Sequence, residues 1–168
     1  PRNPTELRSF LGMAQYSASF IPNFATITEP LRKLTGSDTT WRWEYSQINA
    51  FNRVKAALLE ATAMPYFVPH KETKIIVDAS PVGIAGILVQ DNKPVAYGSH
   101  ALSDVETRYS QTERKTLAVV WSCEHFDIYV RISSLTVVTH HKPLEHIWKK
   151  PNPPLRIARW ALRLQPYD

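Results

Sequence analysis

The feature that most limits the fold of this chain lies between residues 74 and 100. Three apolar runs follow in quick succession: "KIIVDAS", "IAGILVQ" and "PVAYGSH". β-branched residues suit the pleated, half-buried surface of a sheet. The links are too short for a helical crossover, so neighbouring strands must pair antiparallel. Pro81 and Gly83 sit in the first link. A long helical pattern follows, about Gln111–Tyr129, with Ser110 and Glu113 at capping-box spacing. Leu117, Val120, Trp121 and Phe126 can form its buried face. The apolar run Leu135–Thr139 comes next, and a strand that follows a helix can pair in parallel with an earlier one. Residues Pro143–Trp148 can start a helix, and "PPLRIARWALRLQ" reads as a final amphipathic helix. The expected class is α/β or mixed α+β, a mixed sheet with helices packed on it.

The first 64 residues read differently, as a small all-helical unit. Asn3 can cap, Pro4 suits the first helical position, and Glu6 falls in the first turn. Leu7, Phe10, Leu11 and Ala14 continue at helical spacing. Pro22 in "FIPNF" breaks that helix. A second helix is expected over about Thr26–Leu34, ending at Gly36. A third is expected after "WRWEYS", with Ser46 as its cap and Ile48, Phe51, Val54 and Leu58 on one apolar face. "MPYFVPHKET" changes the pattern and places the boundary near residues 65–72.

Composition adds bounds. At 168 residues and 43% apolar content, the chain can bury one good core or two small units sharing a surface. No apolar run approaches the roughly 18 residues of a membrane span. "PRNPTELRSF" is polar and basic, unlike a signal peptide. The chain starts with Pro and stops in mid-pattern, so it is expected to be a piece of a longer one. Cys123 is the only cysteine, which excludes an intrachain disulfide and fits a reducing, intracellular compartment. Net charge +5 and a pI near 9.4 favour a polyanionic partner only mildly.

Several residues could carry chemistry, each against a plainer role. Asp78 interrupts an apolar strand, where a carboxylate is costly unless paired or metal-bound; its plainer role is to cap the turn at Ser80–Gly83. Glu113 has its capping-box duty. His140 and His141 follow a strand end, and adjacent residues of an extended chain point to opposite faces, which disfavours one shared ion. His125, His146 and Cys123 are available to zinc, but no C-x-x-C or H-E-x-x-H pattern appears. Trp41 and Trp43 can stack on bases or pack ahead of a helix. Arg156, Arg159 and Arg163 share one face of the last helix, as a solvated face or a phosphate-contacting stripe.

Taken together, the motifs resemble one family. "ELRSFLGMAQYSASFIPNF", "PLRKLTG" and "AFNRVKAALLEA" are similar to the segment after the polymerase palm in gypsy-class LTR retrotransposon and retrovirus-like Pol proteins. "VDASPVGIAGILVQ", "PVAYGSHALSDVETRYSQTERKTLAVVW", "LTVVTHHKPLEHI" and "RIARWALRLQPYD" are similar to the ribonuclease H domain that follows. The resemblance implies a five-stranded mixed sheet flanked by helices over residues 67–168, truncated at the C-terminus, after a helical thumb or connection segment over residues 1–66. It implies cleavage of the RNA strand of an RNA–DNA hybrid with two Mg²⁺ (or Mn²⁺) ions held by four carboxylates. Such ions activate a water and stabilise the leaving oxygen, and Mg²⁺ demands oxygen ligands.

The carry-over is partial. Asp78 matches the first-strand Asp and Glu113 the helix Glu, so both are the expected metal ligands. The family's "TDHKPL" reads "THHKPL" here, with His140 in the place of the third carboxylate. Imidazole suits Zn²⁺ or Mn²⁺ better than Mg²⁺ and can protonate near neutral pH. The fourth carboxylate would fall beyond Asp168. Weak or absent hydrolysis is therefore expected, and no copying, because the polymerase palm is not in the chain. Implied partners are an RNA–DNA hybrid or other nucleic acid and the rest of the Pol polyprotein: polymerase palm and fingers, and integrase. Location in the cytoplasm, a virus-like particle or the nucleus follows from the same resemblance. The competing expectation is a domesticated, non-catalytic module that binds nucleic acid or protein.

Overall fold

The structure is a computed structural model, and it describes residues 1–36, 39–60, 65–131, 135–139, 144 and 153–167. Helix α1 spans Pro4–Tyr16, and the Asn3 side chain accepts from the Glu6 N–H at 2.9 Å. That bond satisfies one of the amides a helix start leaves without a partner. A 3-10 turn over Ala18–Phe20 leads to α2, Phe24–Lys33. This helix begins two residues before the expected start, because Asn23 takes a left-handed conformation (φ 53°) and turns the chain at once after Pro22. Helix α3, Tyr45–Glu60, also starts ahead of its expected cap, Ser46. Gln47 instead accepts from the Glu44 N–H at 3.2 Å. Leu7, Ala14, Ile21, Phe24, Leu31, Ala50 and Val54 form the buried centre of these helices. Trp41 stacks on Trp43 at 5.6 Å, and Trp43 meets the Phe51 ring edge-on at 5.8 Å, so both indoles pack against this core.

The buried Gln90 side chain ties the segment after α3 to the sheet. Its amide accepts from the Val68 N–H and donates to the Val68 carbonyl and the Thr73 hydroxyl, each at 2.9 Å. Strands β1 (Thr73–Ala79), β2 (Gly83–Gln90) and β3 (Lys93–Ala101) form the expected antiparallel meander. Asp91 and Asn92, both at positive φ, make the two-residue β2–β3 turn. Strand β4, Leu135–Thr139, pairs in parallel with β1. The described residues thus form a four-stranded mixed sheet in the order β3-β2-β1-β4, against the five strands expected.

Strand periodicity assigns the two faces. Val77, Gly86 and Gly98 are aligned across β1, β2 and β3. A β-carbon on Gly86 would meet Ser122, and one on Gly98 would meet His125, so this row faces α4 (Gln111–His125). Ile75, Val77, Ile84 and Leu88 are buried there with Leu117, Ala118, Val120 and Cys123, and with Ile157 and Trp160 of α6 (Leu155–Leu164). The helix after Ser110 does not run on to Tyr129 as expected. It stops at His125, where the buried Phe126 interrupts it (φ −96°, ψ 15°), and a short α5 covers Asp127–Val130. The next row, Asp78, Ala85 and Ser99, faces the other way. There α2 docks, and the Ala25 N–H donates to the Ser99 hydroxyl at 3.0 Å.

Candidate functional site

Asp78 is the penultimate residue of β1, on the face that carries α2. The turn beyond it does not use its carboxylate. Ser80 holds that turn alone: its hydroxyl accepts from the Gly83 N–H at 3.0 Å and donates to the Gly83 carbonyl at 2.9 Å. Asp78 is left 67% exposed on the floor of a cleft of about 250 Å³. Asn23 and Thr26 of α2, Arg53 of α3 and Ser80 line the same cleft. Gly83 fits closely here: a β-carbon would fall 3.1 Å from the His100 carbonyl and 3.3 Å from the Thr26 hydroxyl, so these neighbours would have to give way.

The α4 side chain that reaches Asp78 is Lys115, with its Nζ 3.1 Å from Asp78 Oδ1. The Lys115 side chain is only 12% exposed, so its stem is packed away while its ammonium is presented to the exposed Asp78 carboxylate. Glu113 lies two residues earlier, about 200° round the helix, and is committed elsewhere. Its Oε2 accepts from the Ser110 N–H and hydroxyl, each at 2.9 Å, and its Oε1 accepts from Arg156 at 2.6 Å. The Ser110 N–H above all, then its hydroxyl and the Arg156 guanidinium, hold this carboxyl below the usual range against the opposing effect of burial. The expected ligand pair, Asp78 and Glu113, therefore engages two different cations. His140, the third expected residue, lies outside the described residues, as do His141 and His146. No group of three His, Cys, Asp or Glu side chains placed to hold a metal occurs among the described residues. Cys123 is buried, and desolvation pushes its thiol up to about 12. His125 stacks on Trp121 at 4.5 Å, and burial lowers its pKa.

The donor set does not fit the two-metal chemistry that the resemblance implies. One oxygen of Asp78 already holds an ammonium, and Glu113 is spent on a helix cap and a guanidinium. A divalent ion at Asp78 would have to displace Lys115 or sit beside it against like charge.

The three arginines do share one face of α6, but they are not equivalent. Arg156 pairs with Glu113 and lies over the Tyr109 ring, 4.1 Å from its centroid. Arg163 takes both oxygens of Glu124, at 2.7 and 2.6 Å. Arg159 is exposed and makes no ion pair among the described residues. With Tyr109, Leu155 and Trp160, the three line a cavity of about 460 Å³. Residue patterns singled out Asp78, Glu113 and the arginines; they gave no sign of Lys115 and Arg53, which carry no motif of their own.

A mixed sheet in the order β3-β2-β1-β4 with a parallel β1–β4 pair, and helices on both faces, is the architecture of the ribonuclease H-like class. Comparison with known proteins narrows it. Residues 68–167 match the family described as "RNase H-like domain found in reverse transcriptase". The whole chain is 33% identical over 174 residues to the retrovirus-related Pol polyprotein from transposon 297 of Drosophila melanogaster, covering 16% of that protein. It is 33% identical over 177 residues to the transposon Tf2-3 polyprotein of Schizosaccharomyces pombe, covering 13% of it. Among solved structures it resembles the foamy viral protease-reverse transcriptase dRH in complex with double-stranded DNA (TM-score 0.79, 22% identity, 98% of this chain and 31% of that one). It also resembles the foamy viral protease-reverse transcriptase in complex with an RNA/DNA hybrid (TM-score 0.75, 21% identity, 98% and 24%). The chain belongs to the RNase H-like domain family of retroviral and retrotransposon reverse transcriptases.

Proposed function

We propose that this chain is the ribonuclease H-like portion of a retroelement Pol polyprotein, preceded over residues 1–66 by a thumb or connection segment, and that it engages nucleic acid duplexes with weak or no hydrolysis. The observation that carries this reading is the ion pair between Lys115 and Asp78. It neutralises the one acidic side chain that stands open on the sheet among the described residues, and Glu113 is on the far side of its helix and bound to Arg156. His140 adds an imidazole where the family pattern has a carboxylate. The cavity lined by Tyr109, Arg156, Arg159, Trp160 and Arg163 supports retention as a non-catalytic nucleic-acid-binding module, since it offers the exposed Arg159, which makes no ion pair among the described residues.

The test is cleavage of an end-labelled RNA–DNA hybrid with Mg²⁺ or Mn²⁺. The chain as it stands is expected to give product at background level. A version carrying Lys115→Glu and His140→Asp, extended at its C-terminus, is expected to cut. Cleavage by the unaltered chain at a rate matching the altered one would overturn the reading.

A further inference from the structure

The cleft around Asp78 raises a question that the loss of hydrolysis does not answer: what such a site holds once a lysine is built into it. Asp78 and Lys115 cancel, at 3.1 Å. Arg53 lines the same cleft, is exposed, and makes no ion pair among the described residues. Its charge is therefore the one left over. The Thr26 and Ser80 hydroxyls, 3.4 Å apart, line the same cleft. A site of this composition repels a divalent cation and attracts an anion. A guanidinium with hydroxyl neighbours matches the tetrahedral oxygens of a phosphodiester, which it can contact at two points.

We infer that Lys115 is a tethered cation standing in for a divalent ion at Asp78, so that the cleft seats a nucleic-acid phosphate on Arg53 without metal. The inference rests on the reading above that the chain engages nucleic acid, but its two halves are measured separately. Lys115 neutralises Asp78 and so removes the carboxylate's repulsion of a phosphate. Arg53 makes the contact. Binding through this cleft then needs no Mg²⁺ and survives chelation.

Two measurements decide it. In Mn²⁺ titration followed by electron paramagnetic resonance, the unaltered chain is expected to show no bound ion that Asp78→Asn removes. Lys115→Glu is expected to gain such an ion, and Lys115→Gln reports whether the fold tolerates loss of the ammonium. In filter binding of an RNA–DNA hybrid, affinity is expected to be equal in EDTA and in Mg²⁺. Arg53→Gln should weaken it several-fold and reduce the slope of log affinity against log salt by about 0.9, the release expected for one phosphate contact. An Asp78-dependent Mn²⁺ ion in the unaltered chain, or hybrid binding lost in EDTA, overturns the inference, and so does an Arg53→Gln protein that binds as before. A chain that binds no hybrid at any salt concentration overturns the broader reading, while the Mn²⁺ titration still decides the role of Lys115.

Discussion

Gly86 of β2 lies against Ser122 of α4 so closely that a β-carbon added to Gly86 would fall 2.9 Å from the Ser122 β-carbon. The same atom would sit 3.2 Å from the Phe126 ring. Ser122 is fully buried, and its hydroxyl has no hydrogen-bond partner among the described residues. The sheet and its main helix thus meet through a glycine and an unsatisfied hydroxyl. Two opposite outcomes are predicted. Gly86→Ala overpacks the contact and costs about 1–3 kcal/mol. Ser122→Ala removes a buried polar group that gains nothing in the fold and is neutral or stabilising by up to about 1 kcal/mol. Urea unfolding of both variants checks the pair. Equal destabilisation by the two would contradict this account of the contact.

Gln90 supports a second prediction. Its amide makes three hydrogen bonds from a site 5% exposed, two of them to Val68 in the segment before the sheet. Gln90→Leu keeps most of the volume but frees the Val68 N–H and carbonyl, in a residue 49% exposed, to water, and takes one partner from the buried Thr73 hydroxyl. The loss is expected to be about 1 kcal/mol, the net worth of an ordinary hydrogen bond. The loss should be local before it is global. Limited proteolysis around Tyr66–His70 should accelerate more than cleavage elsewhere, whereas uniform acceleration would point to general destabilisation instead.

The third prediction concerns pH. Glu113 titrates below the ordinary carboxylate range, chiefly because the Ser110 N–H donates to it. A carboxylate whose folded pKa is depressed stabilises the fold above its unfolded value and loses that contribution as pH falls through the folded one. Glu113→Gln keeps an oxygen for the Ser110 amide but removes the charge that Arg156 and the helix start favour. With Arg156 45% exposed, solvent screening limits the effect to about 0.5–1 kcal/mol at pH 7. The difference between the two proteins should shrink as pH falls from the ordinary glutamate range, about 4.3, through the lower folded value. Unfolding curves at pH 7 and pH 3 test this. A gap that widens in acid would refute the assigned sign.

These contacts also explain what residue patterns can and cannot reveal. The meander was legible because Ile75, Val77, Ile84 and Leu88 sit in dense apolar runs with links too short for anything but antiparallel pairing. The Ser110–Glu113 box was legible because both partners lie within one helical turn. The start of α2 was not, because it depends on a left-handed Asn23 and not on a cap. Asp78 drew attention as a carboxylate in an apolar strand, yet the turn it seemed suited to cap belongs to Ser80. Its actual partner, Lys115, stands 37 residues away and reads in isolation as an ordinary solvated helix lysine. Pairings that join distant segments leave no local spacing to detect. The same limit applies to the arginine stripe, since Glu113 and Glu124, which engage two of its members, lie 43 and 39 residues from Arg156 and Arg163.

That inequality among the arginines gives the last prediction. Arg156 and Arg163 are tied to Glu113 and Glu124 and hold α6 against α4, so their charge is already compensated. Arg159 lines the same cavity, exposed and without an ion-pair partner among the described residues. A guanidinium already paired with a carboxylate neutralises little phosphate charge and so displaces few of the counterions condensed on the nucleic acid, whereas one without such a partner displaces close to its full share. Arg159→Gln is therefore expected to weaken hybrid binding and flatten its salt dependence by about 0.9 in the log–log slope. Arg156→Gln and Arg163→Gln should leave that slope nearly unchanged. They should instead cost up to about 1 kcal/mol of stability, because each breaks an ion pair that joins α6 to α4. Filter binding across salt, read beside urea unfolding of the same three proteins, separates the two kinds of residue. Three equal drops in slope would mean that the ion pairs on α6 open when nucleic acid binds.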